Sequence, residues 1–107
     1  MDGIKNDGFD KQTDCVSKTP MKNRWDLLPI ECIEDVVKIL TYGALKYQPE
    51  NWKIVEHAEE RYYAALMRHI VEYRKGNKID EESGLSHLSH AMCNLVFLDW
   101  LDKNKKQ

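Results

Sequence analysis

The sequence is poor in the features that mark several large classes of protein. It has only three cysteines, Cys15, Cys32 and Cys93, and this odd number without close spacing indicates neither a disulfide framework nor a cysteine-based zinc site. Its longest nearly apolar run, residues 95–98, is far too short to cross a bilayer. Its N-terminus also lacks the apolar stretch of a signal peptide. We therefore expect a cytoplasmic protein.

The chain has no large excess of charge of either sign. Sixteen Lys and Arg residues stand against 18 Asp and Glu residues, which gives a formal net charge of −2. No basic stripe is present to bind the phosphate backbone of a nucleic acid. The sequence therefore predicts neither a nucleic-acid partner nor a membrane partner.

The length of 107 residues indicates a single folded domain. Residues 1–23 contain few core-forming side chains, and we expect them to form a flexible N-terminal arm. Residues 24–107 remain to build the domain. A domain of about 80 residues buries a modest core and is usually marginal alone, so we expect a homodimer or a homotetramer.

Apolar residues recur at helical spacing in three segments, which predicts helices over roughly residues 29–47, 56–75 and 84–103. Gly76 is expected to cap the second helix, and Ser83 the third, with Gly84 in its first turn. The third helix is apolar on two sides, so it should be central to the core or to an interface. The predicted fold class is all-α, a small bundle of three main helices completed by self-association.

Two pairs of potential ligands stand three residues apart on neighbouring helices. The second helix carries His69 and Glu72, and the third carries His87 and His90. Residues at this spacing share a helix face, and helical bundles build metal sites from such pairs. Burying these groups without partners would cost several kcal/mol each, and a shared cation would remove that cost. We therefore predict a divalent metal held by His69, Glu72, His87 and His90.

Charged side chains near these pairs are candidates for catalysis. Arg68 lies on the same flank of the second helix as Glu72, and its guanidinium suits phosphate oxygens. Asp80 or Glu82 could join the metal or act as a base. The candidate catalytic residues are thus Glu72, Asp80, Glu82 and Arg68. Alternatively, Arg68 and Glu72 form a surface ion pair, the acidic residues complement the helix dipole, and the histidines bond to each other or to Asp80 or Glu82.

A cation, an amide and two aromatic rings follow each other near the end of the first helix, as Lys46, Tyr47, Asn51 and Trp52. Aromatic rings can stack on a base, an asparagine can read its edge, and a lysine can bind phosphate. Arg61, on the second helix, is a further candidate for phosphate binding. The alternatives are core anchoring for the two rings and surface ion pairing for Arg61.

Four ordered blocks of residues, spanning about residues 24–98, resemble a phage-associated dATP/dGTP diphosphohydrolase-like family. The blocks are Arg24-Trp25-Asp26-Leu27-Leu28-Pro29, then Tyr42-Gly43-Ala44-x-Lys46-Tyr47 with Asn51-Trp52, then Arg68-His69, and finally Gly76-x-x-x-Asp80-x-Glu82-Ser83-Gly84-x-x-His87-Leu88-x-His90-Ala91. This family resembles a branch of the MazG-like all-α nucleotide pyrophosphohydrolases. The resemblance implies a MazG-like helical fold.

The wider MazG-like group holds Mg²⁺ with Glu-Glu-x-x-Glu on one helix and Glu-x-x-Asp on the next. Placed on this sequence, these motifs fall on Arg68-His69-x-x-Glu72 and on His87-x-x-His90, where only Glu72 keeps a carboxylate. The resemblance implies Mg²⁺ or Mn²⁺ as cofactor, whereas imidazole ligands also suit Fe, Co, Ni or Zn.

The resemblance further implies an enzyme that hydrolyses (deoxy)nucleoside triphosphates, dATP and dGTP above all, to the nucleoside monophosphate and pyrophosphate. A divalent metal would assist the reaction. The protein would act in the host cytoplasm if a phage encodes it. The alternative is a catalytically silent module that binds or sequesters a nucleotide in a conflict between phage and host.

Overall fold

The computed structural model describes residues 21–105, and three long helices dominate this part of the chain. They are α1 (Ile30–Lys46), α2 (Ala58–Arg74) and α3 (His87–Lys103). Short 3-10 helices at Trp25–Leu27 and Asn51–Lys53 precede α1 and α2. The predicted all-α class is confirmed. Most of the predicted N-terminal arm, residues 1–20, lies outside the described residues.

Helix α3 lies at the centre of the fold, because both α1 and α2 pack against it. It also carries most of the buried side chains, whereas α1 buries one residue fully and α2 buries none. The buried residues of α3 are His87, Ser89, Ala91, Cys93 and Asn94. The central position that we expected from the two apolar sides of this helix is confirmed.

The start of α3 differs from the prediction. The helix begins at His87, because Ser86 is its N-cap and accepts a hydrogen bond from the Leu88 amide at 3.0 Å. The prediction of Ser83 as the cap was therefore wrong. Gly84 lies ahead of the helix with φ of +76°, a left-handed conformation that glycine adopts at little cost.

The connection from α2 to α3 is a compact loop closed by its own backbone hydrogen bonds. Gly76, with φ of +103°, follows the end of α2 and makes the predicted C-terminal cap. The Asp80 amide donates to the Leu85 carbonyl at 2.8 Å, and the Gly84 amide donates to the Asp80 carbonyl at 2.8 Å. These bonds fix the segment 80–85 beside α3, which positions the acidic residues described below.

Trp52 packs the segment between α1 and α2 against the central helix α3. Its ring stacks on Phe97 with centroids 4.5 Å apart, and Trp100 meets it edge-on at 5.3 Å. The Tyr62 hydroxyl donates a hydrogen bond to the Trp52 carbonyl at 2.7 Å. These contacts match the alternative interpretation of Trp52 as an anchor of the core.

Much apolar surface remains exposed in the described part of the chain. Only Val36, Ala91 and Cys93 are buried apolar residues there. Exposed apolar side chains line α2 and α3 at helical spacing, and they include Tyr63, Met67, Ile70, Leu88 and Leu95. Within residues 21–105, no helix has the length and apolar character needed to cross a membrane.

Candidate functional site

Three imidazoles meet between α2 and α3. The Nδ1 atoms of His69 and His87 are 2.8 Å apart and share a hydrogen bond. The ring of His69 also stacks on that of His90, with centroids 4.6 Å apart and planes 11° from parallel. Burial lowers the pKa of His69, and the neighbouring imidazoles lower it further. The ring of His69 is therefore neutral at neutral pH.

His90 makes polar contacts with the loop between α2 and α3. Its Nε2 atom lies 2.7 Å from the Ser83 hydroxyl and 3.2 Å from a carboxylate oxygen of Asp80. The Ser83 oxygen accepts a hydrogen bond from the Leu85 amide at 3.1 Å. The hydroxyl hydrogen of Ser83 is therefore available for donation to His90. Burial lowers the pKa of His90, and the Asp80 carboxylate opposes that shift. Sequence reasoning missed this role of Ser83, which we had expected to be a helix cap.

The four candidate catalytic residues lie in four different places. Asp80 lies at His90, and Glu82 lies at the end of α1 against Lys46. Glu72 accepts a hydrogen bond from the Asn77 side chain at 2.8 Å. Arg68 is exposed, and no ion pair joins it to Glu72 among the described residues, so the alternative surface pair is not formed.

The donor set does not fit a metal ion in this arrangement. Residues 21–105 hold no group of three or more His, Cys, Asp or Glu side chains that could bind one. Of the predicted ligands, His69, His87 and His90 do converge, but His69 and His87 bond to each other and Glu72 bonds to Asn77. This matches the alternative in which the histidines satisfy one another and Asp80. A divalent cofactor stays a prediction.

A pocket of about 780 Å³ opens between the second half of α1, the 3-10 helix Asn51–Lys53, and α2 and α3. This volume lies in the range of roughly 300–1,000 Å³ that is usual for small-molecule sites. Four of the five predicted nucleotide-binding residues line it, namely Tyr47, Asn51, Trp52 and Arg61. Because Trp52 stacks on Phe97, Tyr47 is the better candidate to stack on a base.

A smaller pocket of about 240 Å³ adjoins the larger one, and the two share Ile39 and Tyr42 as lining residues. Glu82, Ser83 and His90 lie on its wall. An elongated ligand could therefore place a ring in the larger pocket and its far end near His90.

The fifth predicted nucleotide-binding residue, Lys46, lines neither pocket, but it contacts Tyr47 of the larger one and Glu82 of the smaller one. Its ammonium is 3.0 Å from a carboxylate oxygen of Glu82, and the Tyr42 hydroxyl donates to the same oxygen at 3.2 Å. The hydrogen bonds from Lys46 and Tyr42 lower the pKa of Glu82, so its carboxylate is ionised at neutral pH. We had assigned no role to Tyr42 from the sequence.

Comparison with known proteins gives the family of the chain. The model of the family described as dATP/dGTP diphosphohydrolase, N-terminal, matches residues 14–107. A dATP/dGTP diphosphohydrolase of Salmonella phage PMBT28 is 39% identical over 72 residues, which are 67% of this chain and 24% of that relative. The chain thus spans about a quarter of the relative's length, and no solved structure matches it. The resemblance seen in the sequence is confirmed, and the chain belongs to the dATP/dGTP diphosphohydrolase N-terminal family.

Proposed function

We propose that this protein hydrolyses deoxynucleoside triphosphates, chiefly dATP and dGTP, to the monophosphate and pyrophosphate. Its family and the name of its phage relative support this substrate class. The observation that carries the proposal is the adjacency of the two pockets, one lined by aromatic and basic residues and the other by His90. Together they offer places for a base, for a chain of phosphates and for a proton acceptor.

In the proposed complex the purine lies in the larger pocket. Tyr47 stacks on the base, since aromatic rings stack on any base, and Asn51 hydrogen-bonds to its edge. Arg61 lines the same pocket and binds phosphate oxygens with its planar guanidinium. The phosphates extend past Tyr42, which both pockets share, toward His90.

The chemistry of the proposal centres on His90. A neutral imidazole can accept a proton from water as the water oxygen attacks the α-phosphorus. The new bond joins that oxygen to phosphorus, the bond to the bridging oxygen breaks, and pyrophosphate leaves. The proton moves through the Ser83 hydroxyl, which gives its own hydrogen to Nε2 of His90 and takes that of the water. The Asp80 carboxylate, 3.2 Å from Nε2, stabilises the resulting imidazolium.

The direct test is to incubate the protein with each of the four deoxynucleoside triphosphates and to measure pyrophosphate. Arms with Mg²⁺, with Mn²⁺ and with chelator separate metal dependence from hydrolysis itself. We expect pyrophosphate from dATP and dGTP. Nucleotide binding without product under every condition would instead support a silent binding module, which the hydrogen bond between His69 and His87 favours because it ties up two predicted ligands.

Tyr47→Ala should weaken the binding of dATP or dGTP about 5- to 150-fold, because stacking of a base on an aromatic ring contributes about 1–3 kcal/mol. Isothermal titration calorimetry measures the dissociation constant. Tyr47→Phe is the matched control, because it keeps the ring and should bind like the wild type. Equal weakening in both variants would contradict the stacking role.

We also propose that a second copy of the chain covers the exposed apolar stripes of α2 and α3. A core with so few buried apolar residues in the described part gains stability by pairing this surface. Leu95→Glu, at a side chain 52% exposed on α3, should shift the mass measured by light scattering toward the 12.6 kDa monomer. Leu45→Glu on α1, 83% exposed, is the control and should leave the assembly intact. A monomeric wild type would refute the proposal.

A further inference from the structure

We propose that Lys46 and Tyr42 form an anion subsite for the phosphates of the nucleotide, and that the Glu82 carboxylate occupies this subsite until a phosphate displaces it. The inference rests on the proposed function, because it names a part of the same binding site. It assigns a binding role to Tyr42, and to Glu82 the role of an internal competitor in place of a catalytic one.

The geometry of Glu82 is that of a bound anion. One carboxylate oxygen of Glu82 accepts hydrogen bonds from both the Lys46 ammonium, at 3.0 Å, and the Tyr42 hydroxyl, at 3.2 Å. These two donors come from one helix and are 36 and 40 residues away from Glu82 in sequence. A phosphate oxygen accepts hydrogen bonds from the same kinds of donor, so the carboxylate oxygen marks a position that a phosphate oxygen can take.

The position of the subsite suits a triphosphate that runs between the two pockets. Tyr42 lines both pockets, and Glu82 lines the smaller one together with His90. The Lys46 ammonium also lies 5.4 Å from the centre of the Tyr47 ring, the proposed stacking platform for the base. A nucleotide stacked on Tyr47 would therefore bring its phosphates to this lysine first.

The contact between Glu82 and Lys46 can be exchanged at little cost. The two side chains are 61% and 43% exposed, and exposed ion pairs contribute little to stability. A triphosphate carries several negative charges and competes for the lysine, while the ionised carboxylate repels it. The backbone amide of Glu82 donates a hydrogen bond to the Asp80 carboxylate at 3.3 Å. The Glu82 side chain can therefore move away from Lys46 while its backbone stays in place.

Glu82→Gln is the decisive variant, because it removes the charge and keeps the size of the side chain. Loss of an exposed competing charge should tighten the binding of dGTP and of inorganic pyrophosphate about two- to fivefold in calorimetry. Glu81→Gln, at the neighbouring exposed acid, is the matched control and should change affinity less than about twofold. In a Lys46→Met background the effect of Glu82→Gln should shrink to that of the control, because the ammonium for which both anions compete is gone and only general repulsion remains.

Tighter binding in Glu82→Gln alone, reduced to the level of the control by Lys46→Met, supports the subsite. Unchanged or weaker binding in Glu82→Gln, with a wild type that binds dGTP, overturns it and leaves the proposed function standing. Equal tightening in Glu81→Gln also overturns it, since general repulsion would then suffice. A wild type that binds neither dGTP nor pyrophosphate overturns the proposed function and the subsite together.

Discussion

Replacing His90 with asparagine should lower the rate of dATP and dGTP hydrolysis about 100- to 10,000-fold, which is the usual contribution of a general base. The Nε2 atom that receives the proton of the attacking water is lost, and the asparagine amide cannot act as a base in its place. The measurement is kcat from pyrophosphate release at saturating nucleotide. Binding should change far less than kcat, because His90 acts at the reacting end of the substrate in the proposed complex.

His57→Asn is the control for this substitution. His57 has a side chain that is 73% exposed at the start of α2, and it lines neither pocket. Its φ of +56° is left-handed, and asparagine tolerates this conformation better than most residues. The control should keep full activity. Full activity in His90→Asn, with wild-type stability in urea, would remove His90 from the chemistry.

Replacing Trp52 with alanine should reduce the free energy of unfolding by about 3–5 kcal/mol, the usual cost of removing a packed tryptophan side chain. The substitution removes the stacking of the indole on Phe97 and its edge contact with Trp100. A small domain has only about 5–15 kcal/mol of stability, so the loss is a large share of the total. Urea denaturation followed by circular dichroism gives the value.

Trp25→Ala provides the comparison for that loss. Trp25 is 74% exposed in the first 3-10 helix, and surface substitutions usually change stability by less than about 0.5 kcal/mol. The predicted order is therefore a large loss at Trp52 and a small one at Trp25. Similar losses at both positions would show that Trp25 is covered in solution and that the packing of Trp52 is not distinctive.

The three helices were predictable because their apolar residues repeat at helical spacing, which is a local signal. The same kind of signal placed His69, His87 and His90 together, since residues three apart share a face and the helices are neighbours in the chain. The cap of α2 at Gly76 also follows from a local preference. These parts of the fold and of the site needed no knowledge of tertiary contacts.

The remaining features depend on contacts that the sequence does not encode locally. The bond of Lys46 to Glu82 joins residues 36 positions apart, and its formation requires both α1 and the loop to pack on α3. The hydrogen bond between Ser83 and His90 depends on the left-handed turn at Gly84. This turn lies ahead of α3, which begins at His87 and not at residue 84 as predicted. Residue spacing alone predicted that Glu72 would join the histidines. In the structure the Glu72 carboxylate instead accepts a hydrogen bond from the Asn77 side chain.

The most direct test of the central claim follows the fate of a labelled oxygen atom. The protein is incubated with dGTP in water enriched in heavy oxygen, and the products are analysed by mass spectrometry. Attack of water on the α-phosphorus predicts dGMP and pyrophosphate in equal amounts, with the heavy oxygen in dGMP. Heavy oxygen in pyrophosphate or in free phosphate, or no turnover of dGTP with or without a divalent metal, would contradict the claim.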